Sequence, residues 1–144
     1  IEALGENDNQ IHGLGRIGEF DKSYLFEDII GMISDALDID ALRFVGDTKK
    51  EIKTVALCTG SGASLISNVI DLKADLYITV DIKYHDALNA LENDLCVIDA
   101  GHYETECMAV SLLKDILEKE FNNDLEIYTY KDKSPFNYFV KRGI

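Results

Sequence analysis

The segment AGHYETE carries a histidine and a glutamate four residues apart, His102 and Glu106. A helix is predicted to begin at about His102, and residues spaced i and i+4 project to the same side of a helix. An imidazole and a carboxylate so arranged suit zinc, manganese or iron. Two ligands leave a metal centre incomplete, so further ligands have to come from elsewhere. The alternative is an ordinary helix start, where Glu104 and Glu106 are favoured near the positive end of the helix dipole.

A second pair of chemically active residues, Asp81 and His85, lies in the segment VDIKYH, where a strand is predicted to meet a helix. If the helix begins at Asp81, the four-residue spacing brings the two side chains to one face. A carboxylate beside an imidazole holds its tautomer and raises its basicity, so the pair is a candidate for catalysis. In the alternative interpretation, Asp81 caps the helix and His85 is an exposed helix residue.

Two glycine-rich segments are candidates for contacting a phosphate. GLGRIG, residues 13–18, matches the G-x-G-x-x-G pattern of dinucleotide-binding proteins. A polar segment precedes it and no helix opens within it, so we do not expect it to bind a dinucleotide. TGSGAS, residues 59–64, follows a buried strand and opens a helix, but lacks the lysine of a nucleoside-triphosphate loop. We favour a tight turn whose glycines permit close packing, and contact with an anion is the alternative.

These candidate residues fall between strands and helices that alternate along the chain. Strands that are apolar on both faces, separated by helices, predict an α/β fold with a mainly parallel sheet and helices on its faces. The expected strands are 41–47, 54–59, 76–80, 95–100 and 125–130. The expected helices run from a cap at Asp21 or Ser23 to about Leu37, from after Gly62 to about Leu72, from about Lys83 to Glu92, and from about His102 to Phe121.

The loops at the carboxyl ends of these strands bring the candidate residues together. In an open parallel sheet, ligands bind outside the carboxyl ends of the strands. The loops 59–63, 80–85 and 100–106 meet there, and they hold two of the three histidines. The sequence therefore predicts one site, built from these three loops.

The composition is that of a globular domain, with 47% hydrophobic and 28% charged residues among 144. The formal net charge of -13 argues against binding to nucleic acid or to an anionic membrane surface, because both recruit Lys and Arg. It does not exclude a phosphate-bearing ligand, since bound cations can reverse the sign of a local field. No apolar run approaches the roughly 18 residues of a membrane span.

The cysteines Cys58, Cys96 and Cys107 are too few and too widely spaced for a disulfide framework or a zinc knuckle. Cys58 and Cys96 lie in apolar runs and are expected to be small core residues, so a reducing compartment fits best. The polar opening, residues 1–10, is predicted to be a linker or a connection to something larger. A single α/β domain is expected within residues 1–144.

Four segments, in this order, resemble one protein family: GLGRIGEF, VALCTGSGASLI, ADLYITVDIKYHDAL and VIDAGHYETE. They are similar to the C-terminal half of the NIF-three-like family of dinuclear-metal proteins, whose members are often labelled GTP cyclohydrolase 1 type 2. The resemblance runs from about Gly13 to Phe121, so it covers most of the chain. The N-terminal half of the family fold is absent from these residues.

The resemblance implies a two-lobed α/β protein of the cytoplasm, assembled as a toroidal homohexamer with metal sites facing an inner cavity. It implies two divalent ions per site, held by histidines and an aspartate of the N-terminal half together with the His and Glu of a GH-x-x-x-E motif. That motif falls on His102 and Glu106. The sequence departs from the family in two respects: Val80 replaces the usual glycine before Asp81, and no His-His pair is present.

The function expected from residues and resemblance together is that of a metal-dependent hydrolase acting on a small, phosphate-bearing molecule. His102 and Glu106 would ligate metal, while His85, with Asp81, would move a proton or contact substrate. The alternative is a non-catalytic scaffold or ligand-binding protein in which the metals are structural. The two differ in that a catalytic metal keeps an exchangeable water, whereas a structural one is closed by protein ligands.

Overall fold

The computed structural model of the chain describes residues 2–7, 10–122 and 124–137. The strands are β1 (Glu2–Asn7), β2 (Gln10–Leu14), β3 (Arg16–Leu25), β4 (Arg43–Val45), β5 (Glu51–Leu57), β6 (Leu76–Thr79) and β7 (Cys96–Asp99). The helices are α1 (Phe26–Leu37), α2 (Ile66–Asp71), α3 (Tyr84–Glu92), α4 (His102–Glu106) and α5 (Met108–Glu120).

One mixed sheet carries the fold, with its strands in the order β3-β5-β6-β7-β4. β5, β6 and β7 run parallel, whereas β3 and β4 pair antiparallel at the two edges. Each parallel crossover contains a helix, α2 between β5 and β6 and α3 between β6 and β7, because parallel strands cannot be joined by a tight turn. The predicted α/β fold is confirmed, with a parallel centre and antiparallel edges.

The sheet is covered on both faces, and β6 shows how. Leu76 and Ile78 belong to a core cluster with Phe26 of α1, on one face. Tyr77 points the other way and belongs to a second cluster with Val69 of α2. Every residue of β6 is buried, which is why its sequence is a continuous apolar run rather than an alternating one.

Two cysteines contribute to this core, as their apolar surroundings predict. Cys96 is buried, and the burial raises the pKa of its thiol to about 11. Cys58 is half-buried and packs against the cluster that contains Tyr77. A thiol with a raised pKa carries little thiolate at neutral pH, so Cys96 is a packing residue and not a nucleophile.

The first helix begins later than the sequence predicts. The expected caps, Asp21 and Ser23, lie within β3, and α1 starts at Phe26 without a side-chain cap. The first two amide groups of α1 donate instead to the carbonyls of Lys50 and Thr48, at 2.9 and 3.0 Å. The prediction was wrong because the backbone of a distant turn supplies the acceptors that a local side chain would otherwise supply.

The long helix expected over residues 102–121 is two helices, α4 and α5, that meet at Cys107. The backbone of Cys107 has φ -61° and ψ -22°, closer to a 3-10 turn than to an α-helix. The change of hydrogen-bonding pattern separates the short helix that carries His102 and Glu106 from α5. No helix in the described ranges is long and apolar enough to cross a membrane.

The prediction of a strand over residues 125–130 was wrong, since the described residues 124–137 contain no strand. Tyr128 and Tyr130 are exposed, and the hydroxyl of Tyr103 donates to the carbonyl of Asp132. The segment therefore lies beside α4 and α5 and not along an edge of the sheet. Its alternating sequence favours a strand, but a strand forms only where a neighbouring backbone offers a ladder of partners.

The segment predicted as a linker, residues 1–10, contains β1, which pairs antiparallel with β2 in a separate two-stranded sheet. The turn between the two strands lies outside the described residues. The pairing gives this segment local structure without joining it to the five-stranded sheet. The domain limits within residues 1–144 stay a prediction.

Tyr77 ties the central strand to the loop that follows β5. Its hydroxyl donates to the carbonyl of Gly62 at 2.8 Å, and the side chain is fully buried. A Cβ at position 62 would collide with that hydroxyl and with Oγ1 of Thr79. The loop can therefore approach the sheet this closely only with glycine there, as the tight-turn interpretation of TGSGAS predicts.

Replacing Tyr77 by Phe should lower the free energy of unfolding by about 1 kcal/mol, because the carbonyl of Gly62 loses one of its two donors and keeps the amide of Leu65. Burial raises the pKa of Tyr77 to about 12 from the usual 10. The folded state thus disfavours the phenolate, and the stability from this residue is complete below pH 10 and is lost as pH rises through about 12.

Denaturant unfolding and absorbance titration of tyrosinate test both statements. The exposed Tyr84 provides the matched control, since Tyr84→Phe should change neither the unfolding free energy nor the high-pH titration step. A high-pH step that persists in Tyr77→Phe would contradict the assignment.

Candidate metal site

The first turn of α4 positions both predicted metal ligands. His102 is the first residue of the helix and directly follows Gly101, just beyond the end of β7. Thr105 is buried, and its hydroxyl donates to the carbonyl of Gly101 at 2.9 Å. This bond closes the first turn of α4. The amide of Ala100 donates to the carbonyl of Thr79 at 3.0 Å, which ties the residues just before the helix to β6.

His102 and Glu106 lie side by side, as their spacing predicts. Nε2 of His102 is 3.3 Å from Oε2 of Glu106, and the two side chains are about half exposed. Both are therefore reachable from solvent on a short helix that begins three residues after β7 ends.

The partner of Asp81 is His102 and not His85. Nδ1 of His102 donates to Oδ2 of Asp81 at 2.8 Å. The parallel register pairs Thr79 of β6 with Asp99 of β7, so the residues that follow each strand emerge next to each other. The sequence-based pairing of Asp81 with His85 assumed a helix that starts at Asp81, whereas α3 starts at Tyr84.

The loop after β6 accommodates the valine that replaces the family's glycine. The left-handed residue in this loop is Asp81, with φ 58°, and Val80 is not among the residues with positive φ. Val80 is buried in the sheet. A β-branched residue is not strained where φ is negative, and aspartate tolerates the left-handed region better than most residues.

The carboxylates of Asp81 and Glu106 both raise the pKa of His102. The pKa of its imidazole is raised, first by the hydrogen bond to Asp81; desolvation opposes the shift, and the charge of Glu106 adds to it. With Nδ1–H committed to Asp81, the neutral ring presents its lone pair on Nε2 to the carboxylate of Glu106. Two electron-pair donors at that distance are stable together only when a cation, either a proton or a metal ion, lies between them.

Gly60 makes room for the carboxylate of Glu106. A Cβ on Gly60 would lie 2.8 Å from Oε1 of Glu106, and Gly60 has φ +68°. Both the close approach and the backbone conformation favour glycine. The glycines of TGSGAS thus serve close packing, against the sheet at Gly62 and against a candidate ligand at Gly60.

A cavity of about 860 Å³ opens in front of the pair, within the size range of small-molecule sites. Its wall combines groups from the ends of the strands, from α4 and from the tail after α5: Arg43, Asp81, Asp99, Gly101, His102, Tyr103, Glu104, Glu106, Cys107, Ser134, Pro135, Phe136 and Asn137. The two predicted ligands therefore face a space large enough for a substrate.

His85 is not part of this arrangement. It lies in the first turn of α3, exposed, with its ring edge-on to Tyr84 at 5.5 Å between centroids. It does not line the cavity. A catalytic role for His85 stays a prediction.

The described residues contain no cluster of three or more His, Cys, Asp or Glu side chains that could hold a metal ion. His102 and Glu106 supply two donors, and Asp81 occupies the opposite side of the imidazole. That the chain contributes part of a metal centre stays a prediction.

The pattern GLGRIG is not a dinucleotide site. Residues 13–18 span the end of β2, a turn at Gly15 and the start of β3, and the next helix begins only at Phe26. A dinucleotide loop needs a helix N-terminus directly after its glycines.

The sequence matches the family described as Duf34/NIF3 (NGG1p interacting factor 3) over residues 1–135. The chain belongs to this family. The resemblance seen in the four ordered segments is thereby confirmed.

The chain is similar in sequence to proteins named GTP cyclohydrolase 1 type 2 homolog. The protein of Campylobacter jejuni is 38% identical over 120 residues, which are 83% of this chain and 47% of the relative. The protein of Staphylococcus aureus is 35% identical over 133 residues, which are 89% of this chain and 36% of the relative. The chain thus spans half or less of the length of these curated relatives.

Solved structures of similar proteins share the fold. Staphylococcus aureus protein SA1388 gives a TM-score of 0.81 at 33% identity, covering 90% of this chain and 44% of that one. Reduced HcgD from Methanocaldococcus jannaschii gives a TM-score of 0.62 at 32% identity, covering 78% of this chain and 44% of that one.

Sequence reasoning missed two residues of this site, Arg43 and Asp99. Arg43 of β4 donates to the nearly buried Asp99 at the end of β7 and to the carbonyl of Ile82. A charged residue that ends an otherwise apolar strand, as Asp99 does, is the signal that marks the carboxyl edge of the sheet. Nothing in the sequence indicates that β4 returns antiparallel beside β7 and brings Arg43 there.

The hydrogen bond from His102 to Asp81 can be tested by titration. Replacing Asp81 by Asn should lower the pKa of His102, because the neutral amide no longer stabilises the imidazolium. In the folded protein the raised pKa contributes stability that is complete at low pH and is lost as pH rises through the pKa of His102. Asp81→Asn should therefore destabilise the protein more in acid than at alkaline pH.

Nuclear magnetic resonance of the imidazole protons measures the pKa of His102 directly. Asp86→Asn is the control, since Asp86 accepts from the amide of Lys83 at 3.1 Å at the start of α3 and does not contact His102. An unchanged pKa in Asp81→Asn would show that Glu106 alone sets it.

Proposed function

We propose that the chain carries part of a dinuclear metal site and that its family-type function is metal-dependent hydrolysis of a small, phosphate-bearing molecule. One observation carries the proposal. The lone pair of Nε2 on His102 faces the carboxylate of Glu106 at 3.3 Å, beside a large cavity, with Nδ1–H held by Asp81. Such a pair of donors requires a cation, and a divalent ion fits the position in place of the proton.

The donor set suits the ions expected from the sequence, namely zinc, manganese or iron. An imidazole nitrogen and a carboxylate oxygen bound to one tetrahedral ion lie roughly 3.3 Å apart, given bond lengths of about 2.0–2.1 Å. The distance between Nε2 and Oε2 matches that separation without any movement of either side chain.

Asp81 has the role of a positioning residue in this proposal. Histidines that ligate metals usually donate their other ring N–H to a carboxylate, which fixes the tautomer and makes the ligand more basic. The bond from His102 to Asp81 has this form. Gly60, by leaving room for Glu106, supports the second ligand from the other side.

Further ligands would come from outside the described residues, since these hold no cluster of three. The family resemblance implies histidines and an aspartate of an N-terminal half for that purpose. When bound, the ions would supply an activated water and offset negative charge on the substrate. This chain's own residues would hold the ions through His102 and Glu106 and admit the substrate through the cavity.

Metal titration of variants tests the proposal. We expect this chain by itself to bind zinc or manganese weakly, because two ligands leave most of the coordination to water. The intact protein, with all ligands present, should bind two ions per chain. His102→Ala should abolish binding of the ion it holds in both, and Asp81→Asn should weaken binding about 10–100-fold, the usual effect of losing a partner of a ligating histidine.

His85→Ala serves as the matched control, because His85 is the other histidine with a described side chain and lies outside the cavity. Tight binding that survives His102→Ala would refute the site. Proton relaxation of water around bound manganese then separates the hydrolase from the scaffold, since only an open coordination position exchanges water rapidly.

We also propose a cytoplasmic homo-oligomer, a hexamer on the implication of the family. The exposed apolar side chains of α5, defined as Met108, Leu112, Leu113 and Ile116, support association with further protein. A free surface helix rarely leaves so many large apolar side chains in water.

Light scattering at micromolar concentration should give the intact protein a mass of six chains. Leu112→Lys should lower that mass by placing a charge on the apolar face, while Ser111→Lys on the exposed neighbouring position should leave it unchanged. A monomer in the unaltered protein would contradict the assembly.

A further inference from the structure

Arg43 lines two adjacent pockets on the surface of the protein. It lines the cavity that contains His102 and Glu106, and it also lines a groove of about 280 Å³ with Lys83 and Tyr84. β4 places it there because this edge strand pairs antiparallel with β7, with Arg43 opposite Asp99.

The guanidinium of Arg43 is fixed in position but only partly used. Nη2 donates to Oδ2 of Asp99 and to the carbonyl of Ile82, the latter at 3.1 Å. Asp99 is itself nine-tenths buried and also accepts from the amide of Ile82 at 3.2 Å. Nη1 and Nε have no partner among the described residues, and the side chain is 71% exposed.

Within the ranges that the structure describes, the pairing of Arg43 with Asp99 leaves part of the guanidinium free. Arginine–carboxylate pairs are frequently bidentate, with two nitrogens of the guanidinium on the two carboxylate oxygens. Here one nitrogen makes both bonds, so the remaining donors face outward on a rigid support. Rigid support of a partly unsatisfied donor lowers the entropic cost of binding a ligand.

Arg43 differs in charge from the other ionisable residues around the cavity, most of which are acidic. The carboxylates of Asp81, Asp99, Glu104 and Glu106 line it, and Arg43 is the permanently cationic side chain among the described residues of its wall. Its charge is shared with Asp99, so what Arg43 offers an anionic group is a set of charge-assisted hydrogen-bond donors rather than a positive field.

We propose that Arg43 is an oxyanion subsite, which binds a phosphate or carboxylate group of the ligand whose reacting part lies at His102 and Glu106. The subsite deepens the proposed function and rests on it for the identity of that reacting part. Arginine suits the role because its planar guanidinium donates to two oxygens of such groups and stays charged at all relevant pH values.

The side-chain Nε–H signal of Arg43, followed by nuclear magnetic resonance during titration with inorganic phosphate in metal-depleted buffer, tests the proposal. The signal should shift and saturate. Arg43→Ala should raise the dissociation constant for phosphate about tenfold or more, the effect of losing a charge-assisted hydrogen bond. Arg43→Lys keeps the charge without the fork, so it should weaken binding by less and guards against a loss caused by misfolding.

Arg16→Ala is the matched control, because Arg16 is exposed on β3 at the opposite edge of the sheet and, within the described part of the chain, bonds only to nearby backbone carbonyls. It should leave the phosphate affinity unchanged. A parallel titration with acetate tells which oxyanion the subsite prefers. Saturable binding of either that depends on Arg43 supports the subsite, and the absence of both overturns it.

Zinc titration of the same variants in phosphate-free buffer separates this proposal from the metal site. Phosphate binding lost in Arg43→Ala but retained in His102→Ala supports the subsite, even if no variant binds zinc and the metal proposal fails. An unchanged phosphate affinity in Arg43→Ala, together with zinc binding that is lost in His102→Ala, overturns the subsite and leaves the metal proposal standing.

Discussion

The parallel pairing of β5, β6 and β7 is the constraint on which the rest of this structure depends. Parallel strands end at the same edge, so the loops after the three strands emerge side by side. Gly60, Asp81 and His102 each follow one of them. His102 contacts Asp81, and Glu106 lies beside Gly60, so the three loops meet at one site. A sheet of antiparallel hairpins would have placed alternate loops at opposite ends and separated these residues.

The same pairing determines what the core must be. A strand with helices on both faces has no solvent-exposed side, so every position of β6 and β7 is buried. The helices α1 on one side and α2 and α3 on the other supply the apolar cover. The site thus lies at the ends of fully buried strands, which favours a fixed geometry for His102 and its partners.

Negative charge is concentrated where the chemistry is expected, and this gives the site its character. His102 lies between the carboxylates of Asp81 and Glu106, and only a cation makes that arrangement favourable. Arg43 lines the same cavity and is held in position by its ion pair with Asp99. The proposed metal site and the proposed oxyanion subsite would therefore share one cavity, where a single ligand could reach both.

The sequence by itself determined the α/β class, the positions of the central strands, and the neighbouring placement of His102 and Glu106. These follow from local rules, namely the apolar runs of buried strands and the i, i+4 geometry of a helix. The ordered motifs also identified the Duf34/NIF3 family, which the match over residues 1–135 confirms.

Only the tertiary structure decided which residues meet across the sheet. The partner of Asp81 is His102 because β6 and β7 lie in register, and Arg43 reaches Asp99 because β4 returns antiparallel to β7. The start of α1 and the absence of a strand at residues 125–130 likewise depend on where distant backbone acceptors lie. Local sequence fixes dihedral preferences and faces, whereas hydrogen-bond partners far along the chain are settled only when the whole sheet assembles.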